Sequence, residues 1–185
     1  MVRHSIPAGE VVLVNLPPYG TQPWMSTGIV FLAGLLRREG VAARVVRAVA
    51  AVADVPPAVA EASFATFLGD PPMELRLDAM ERCYGAAPAF FDGMLEALLA
   101  GPEGVFAFSV FRNNVDVSLW VARLLKRRRP GCTVIFGGPE AVEEPEALRL
   151  PWVDAVVGLH AEQVWLPLVR ALLGDGPGRL PRHPA

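Results

Sequence analysis

The chain has 185 residues, a formal charge of −2, a pI near 5.9 and 52% apolar side chains, which describes one domain with a sizeable core and no basic footprint for nucleic acid. Its two cysteines, Cys83 and Cys132, exclude a zinc knuckle, an iron–sulfur cluster and a disulfide framework. The longest apolar runs, 28–36 and 48–53, fall short of the ~20 residues of a membrane span, and no signal-peptide h-region opens the chain, so a reduced, cytoplasmic protein is expected, with neither membrane nor nucleic acid as partner.

Residues 11–15, Val-Val-Leu-Val-Asn, form a continuous apolar run that predicts a strand buried on both faces. A Pro/Gly-rich loop covers 16–25, after which Ser26 or Thr27 caps a helix running to Arg38 or Glu39 and closed by Gly40. Residues 42–46 predict a second strand. The stretch 48–104 is far longer than a usual crossover and carries helical segments at 58–68, 73–83 and 90–99 between Pro/Gly-rich breaks. It is a helical insertion between strands 2 and 3, read as a lid, a docking surface or a cover for a sheet edge. Its Phe64, Phe67, Phe90, Phe91, Met94 and Leu95 supply apolar anchors beyond what a crossover needs.

Residues 105–110 predict the third strand, leading into Arg112, Asn113 and Asn114. Asn113 is the expected N-cap, and Val117, Trp120, Val121, Leu124 and Leu125 then follow helical spacing on one face. The cations at 126–129 fall in the last turn before Pro130, where they complement the helix dipole as a solvated cluster. Residues 133–136 predict strand four, 145–150 a short helix and 155–157 strand five. The last helix is expected over 162–173, with Pro167 tolerated only near its start. Residues 1–173 make the domain and 174–185 a linker or disordered tail.

Strands alternating with helices require right-handed crossovers in a parallel sheet. Five of them predict an α/β, flavodoxin-like (Rossmann-type) fold of order 2-1-3-4-5, with ligands over the carboxyl ends of the strands. There, strand four stops at Gly137-Gly138-Pro139, an opening where a ligand can approach the backbone. Pro17 and Pro18 remove two N–H donors after strand one, which excludes a phosphate cradle. No Gly-x-Gly-x-x-Gly or Gly-x-x-x-x-Gly-Lys-Ser/Thr is present. Asn15 and Ser109 stand where a phosphorelay receiver needs carboxylates.

Several of these pieces together resemble a known family. Asn15-Leu16-Pro17-Pro18, the helix 28–40, Phe108-Ser109-Val110, Gly137-Gly138-Pro139-Glu140 and 153–158 are similar to the N-terminal cobalamin-binding domain of cobalamin-dependent radical S-adenosylmethionine enzymes. In the wider cobalamin fold a Ser-x-Leu after strand three and a Gly-Gly after strand four line the slot for the dimethylbenzimidazole tail. Ser109, in Ser109-Val110-Phe111, Gly137 and Gly138 match those places. The resemblance implies cobalamin contacts from Leu16, Pro17, Ser109, Val110, Phe111, Arg112, Asn113, Gly137, Gly138, Pro139, Gly158 and His160, with the tail passing so close to Gly138 that no side chain fits there.

Two departures shape the expected binding mode. Where mutase-type domains carry Asp-x-His-x-x-Gly with a cobalt-ligating His, this chain has Asn15-Leu16-Pro17-Pro18-Tyr19-Gly20. Cobalamin is therefore expected base-off and without a histidine ligand, and no residue is assigned to a metal. In place of the family's Gly-Glu-Gly-Glu after strand five stands Gly158-Leu159-His160-Ala161. The chain lacks the Cys-x-x-x-Cys-x-x-Cys that holds a 4Fe-4S cluster and S-adenosylmethionine, so it is not catalytic alone. The resemblance places both in a radical domain, in cis or in trans, and implies a methyltransferase. On the residues themselves two other classes stay open. One is a cofactor-free flavodoxin-like domain docking a partner protein. The other is a small-molecule binder or hydrolase, for which no nucleophile, base and orienting group stand together.

Overall fold

Val11, Val12, Leu13 and Val14 are each 1% exposed or less, the burial of a central parallel strand covered on both faces. A computed structural model describes residues 9–16, 27–47, 55–69, 71–101, 104–146, 148–158 and 161–174. Its elements are β1 (Glu10–Asn15), α1 (Thr27–Arg38), β2 (Ala43–Arg47), α2 (Pro57–Gly69), α3 (Met73–Ala86), α4 (Pro88–Leu99), β3 (Gly104–Ser109), α5 (Val115–Arg128), β4 (Thr133–Gly137), α6 (Pro139–Glu143), β5 (Ala155–Val157) and α7 (Ala161–Leu172). The strands form one all-parallel sheet of order β2-β1-β3-β4-β5, the flavodoxin-like arrangement that the alternating pattern predicts. No helix among the described residues is long and apolar enough to cross a membrane.

Alternation along the strands divides the core in two. Val12, Val14, Phe106, Phe108, Val134 and Phe136 face one layer, where they join side chains of α2 to α6. Val11, Leu13, Val105, Ala107, Ile135 and Val157 face the other, where α1 and α7 supply Ile29, Ala33, Leu36, Trp165, Leu168 and Val169. Toward the carboxyl edge the two faces diverge in bulk. One carries the tilted ring pair Phe108–Phe136, centroids 5.3 Å apart, while the other carries Ala107, Ser109 and Gly137.

The helices between β2 and β3 are core and not a lid. Met80, Cys83, Phe91, Met94, Leu95 and Leu98 are all 5% exposed or less and belong to the layer with the aromatic sheet face. Phe90 packs edge-on against Phe91, whereas Phe64 is 59% exposed; the Phe67 side chain lies outside the described residues. A buried ion pair, Arg76 Nε to Asp116 Oδ1 at 2.7 Å, ties α3 to the first turn of α5. Losing one partner of such a pair costs about 3–5 kcal/mol, so the insertion's position on α5 is strongly fixed.

Three local expectations are corrected. The short helix is Pro139–Glu143, and residues 145–146 and 151–152 are turns. Pro139 opens it, directly after Gly138 at φ 106°. The residue before α5 is Asn114, not Asn113. Pro167 sits inside α7 and not near its start. The basic run after α5 also does more than face water. Lys126 Nζ donates to the Cys132 carbonyl at 2.5 Å and pairs with Asp154 at 2.7 Å, and Arg129 donates to the Leu99 carbonyl at 2.7 Å. Two of the four cations thereby fasten α5 to β4 and α4, while Arg127 and Arg128 stay exposed.

Candidate functional site

The small residues at the carboxyl ends of β3 and β4 leave the sheet hollow under α1 and α7. Ala107 is in register with Ile135 and with Leu13, Ser109 with Gly137, and Gly137 with Val157. Above them lies a cavity of about 650 Å³, within the range of roughly 300–1,000 Å³ typical of small-molecule sites. Its floor is Leu13, Asn15, Ala107, Ser109, Ile135, Gly137 and Val157, and its helical wall is Thr27, Gly28, Ile29 and Leu32 of α1 with Ala161 and Trp165 of α7. Phe111, Asn113, Asn114, Gly138 and Pro139 stand at the edge where the chain leaves the sheet.

That edge is held by Asn114, which is fully buried. Its Nδ2 donates to the carbonyls of Leu16 at 3.2 Å and Ser109 at 3.3 Å, and its Oδ1 accepts the Phe111 N–H at 2.8 Å. One amide thus binds the ends of β1 and β3 at the point where their crossovers part to opposite faces, the switch point at which such sheets take ligands. The Val110 N–H donates to Gly137 O at 2.7 Å, and the Glu140 N–H to Val110 O at 3.3 Å, joining the β4 turn to the same loop.

The two glycines have different roles. A Cβ on Gly138 would lie 2.6 Å from Val110 O and 2.9 Å from Val110 N, on a backbone at φ 106°. Its lack of a side chain therefore serves the packing of the protein's own loops, a demand that holds beside the one expected from a passing ligand. A Cβ on Gly137 would meet only Val157 O at 3.4 Å and Val157 Cβ at 4.0 Å, so this position has room and faces the cavity.

Of the residues expected to contact a ligand, Ser109, Phe111, Asn113, Gly137, Gly138 and Pro139 line the cavity together. Leu16 and Val110 are fully buried in the opposite core layer. Arg112 is engaged with Glu144 at 3.1 Å and Glu140 at 3.5 Å. Gly158 does not line the cavity, and Pro17 and His160 lie outside the described residues. Sequence reasoning missed Asn15, Ala107, Asn114 and Trp165. The period-2 pattern placed Ala107 on the Ser109 face, and Asn114 was adjacent to the expected cap; Trp165 gave no signal beyond an apolar helix position. Among the described residues no cluster of three or more His, Cys, Asp or Glu could hold a metal ion.

Glu140, 2% exposed, sits behind this edge in the opposite layer. Burial pushes its carboxyl above the ordinary 4.5, against the opposing pull of Arg112. A group with a raised folded-state pKa binds more protons folded than unfolded, so stability falls as pH rises through that window. Glu140→Gln is expected to melt at a higher temperature than the wild type at neutral pH, with the gap narrowing as pH approaches 4.5. Thermal scans across pH check this, and a gap that widens in acid contradicts it.

No family model matches the chain. It is similar to the 2-(S-pantetheinyl)-carbapenam-3-carboxylate methyltransferase of Streptantibioticus cattleyicolor, 33% identical over 94 residues. That stretch is 49% of this chain and 14% of the relative, so the chain spans only a small part of that protein's length. Half of the chain thus shares sequence with part of a methyltransferase.

Proposed function

We propose that the chain is the cobalamin-binding module of a methyl-transferring enzyme, taking the cofactor base-off with its nucleotide tail in the cavity under α1 and α7. A radical domain, in cis or in trans, then carries S-adenosylmethionine and a 4Fe-4S cluster. The observation that carries this reading is the hollow floor of Ala107, Ser109 and Gly137 beneath an apolar wall. Its volume of about 650 Å³ and its few polar side chains suit a flat heteroaromatic group. The partial similarity to a methyltransferase supports the same reaction class.

Bound cobalamin would supply a methyl group carried on cobalt. The protein's own part is to bind and orient. Ser109 offers a hydroxyl beside Gly137 on the floor, and Asn15, Thr27 and Asn113 add polar groups around the cavity. Phe111 gives the edge an apolar surface. Arg112, always protonated, has no lone pair for a metal and is held by Glu144. Electron paramagnetic resonance of protein loaded with cob(II)alamin tests the binding mode. The expected spectrum lacks splitting from an axial nitrogen, and a triplet splitting contradicts the base-off, histidine-free assignment.

A further inference from the structure

The side chains that line the cavity are sorted by depth. Residues on one face of a strand are two apart, so the floor has two tiers. The inner tier is Leu13, Ala107 and Ile135, in register across β1, β3 and β4. The outer tier, two residues nearer the carboxyl edge, is Asn15, Ser109 and Gly137, with Val157 beside Gly137. A crossover must return the chain to the start of the next parallel strand, so α1 leaves the carboxyl edge and descends over the sheet, and α7 enters the same layer from the end of β5. Thr27, Gly28 and Ala161 therefore stand at the outer level, and Leu32 and Trp165 about one turn deeper. Among the described residues, every polar side chain that lines the cavity belongs to the outer level: Asn15, Thr27, Ser109, and Asn113 and Asn114 beyond the end of β3. The inner level presents hydrocarbon. Its strand N–H and C=O groups are paired in the sheet ladder, and the indole Nε1 of Trp165 is shielded within the protein.

A ligand that fills both levels is amphipathic, with its polar connection at the mouth and an apolar end inside. A polar atom carried to the inner level would lose its water and find no partner there. We propose that this layering makes the site selective for the base that ends the corrinoid tail, accepting one whose far end is hydrocarbon and rejecting purines. The proposal rests on the reading of the cavity as the slot for that tail. The end of dimethylbenzimidazole remote from its ribose carries two methyl groups, which match Leu13, Ala107, Ile135 and Leu32. The corresponding end of adenine carries ring nitrogens and an exocyclic amine, which would meet the same hydrocarbon unpaired.

Titration with hydroxocobalamin and with hydroxo-adeninylcobamide, which carries adenine in place of dimethylbenzimidazole, tests the selectivity. The wild type is expected to bind hydroxocobalamin about tenfold or more tightly than the adenine form. Ala107→Ser places one hydroxyl on the inner tier with little added bulk, and is expected to shrink that preference severalfold by giving adenine a partner. Both proteins meet the same two free corrinoids, so the change in preference cancels any difference in how the two bases ligate cobalt. A wild type that binds both corrinoids equally, or prefers the adenine form, overturns the selectivity and leaves the site reading standing. A preference that Ala107→Ser does not reduce overturns its assignment to the inner tier. A folded wild type that retains neither corrinoid overturns the site reading and this proposal with it.

Discussion

Replacing Gly138 by alanine is expected to lower the unfolding free energy by about 2–6 kcal/mol, the sum of left-handed backbone strain of roughly 1–3 kcal/mol and overpacking of roughly 1–3 kcal/mol. The added carbon would stand 2.6 Å from the Val110 carbonyl oxygen, and neither β3 nor β4 can retreat without breaking the Val110–Gly137 hydrogen bond of 2.7 Å. Against a total stability of about 5–15 kcal/mol for an ordinary domain, such a loss is visible in any denaturant titration. A variant as stable as the wild type would show that the turn is not packed as described. Gly138→Val would for the same reason lose fold and ligand together, so it cannot report on the cavity.

Gly137 can report on it. The strand there admits a Cβ with 3.4 Å to its nearest neighbour, and valine is favoured over glycine in a strand interior. Gly137→Val is expected to fold with wild-type circular dichroism and to weaken cobalamin binding by about hundredfold. That loss corresponds to about 3 kcal/mol for forcing bulk into an occupied space. Ala107→Leu, on the same floor two residues before the partner of Gly137 on β3, should act in the same direction. Unchanged affinity in both folded variants would place the ligand elsewhere.

The strand order was legible because each strand announces itself by a short apolar run between turn residues, and right-handed crossovers leave few ways to arrange five of them. The cavity was legible only at its edges. Gly137-Gly138 stands out as a dipeptide, but nothing in it tells which glycine makes room for the protein and which for a ligand; that follows from Gly138's positive φ and its approach to Val110. The hollow depends on the contrast between Phe106, Phe108 and Phe136 on one face and Ala107, Ser109 and Gly137 on the other, a tertiary sum over two strands. Asn114 was within one residue of the expected cap. One of its three side-chain hydrogen bonds reaches back 98 residues to Leu16, a contact that local spacing does not encode. The insertion was read as a lid, a docking surface or a cover for a sheet edge, and Phe91, Met94 and Leu95 of its apolar residues fill the protein's own core. An amphipathic helix pattern states that a face is covered and not by what.

Retention of hydroxocobalamin after desalting tests the central claim most directly. The wild-type chain, mixed with excess hydroxocobalamin and passed through a gel-filtration column, should emerge with the corrin's visible absorbance at close to one equivalent per chain, and Gly137→Val should emerge colourless. A folded wild type that emerges colourless, or a Gly137→Val variant that keeps the colour, would contradict the assignment of this cavity to cobalamin.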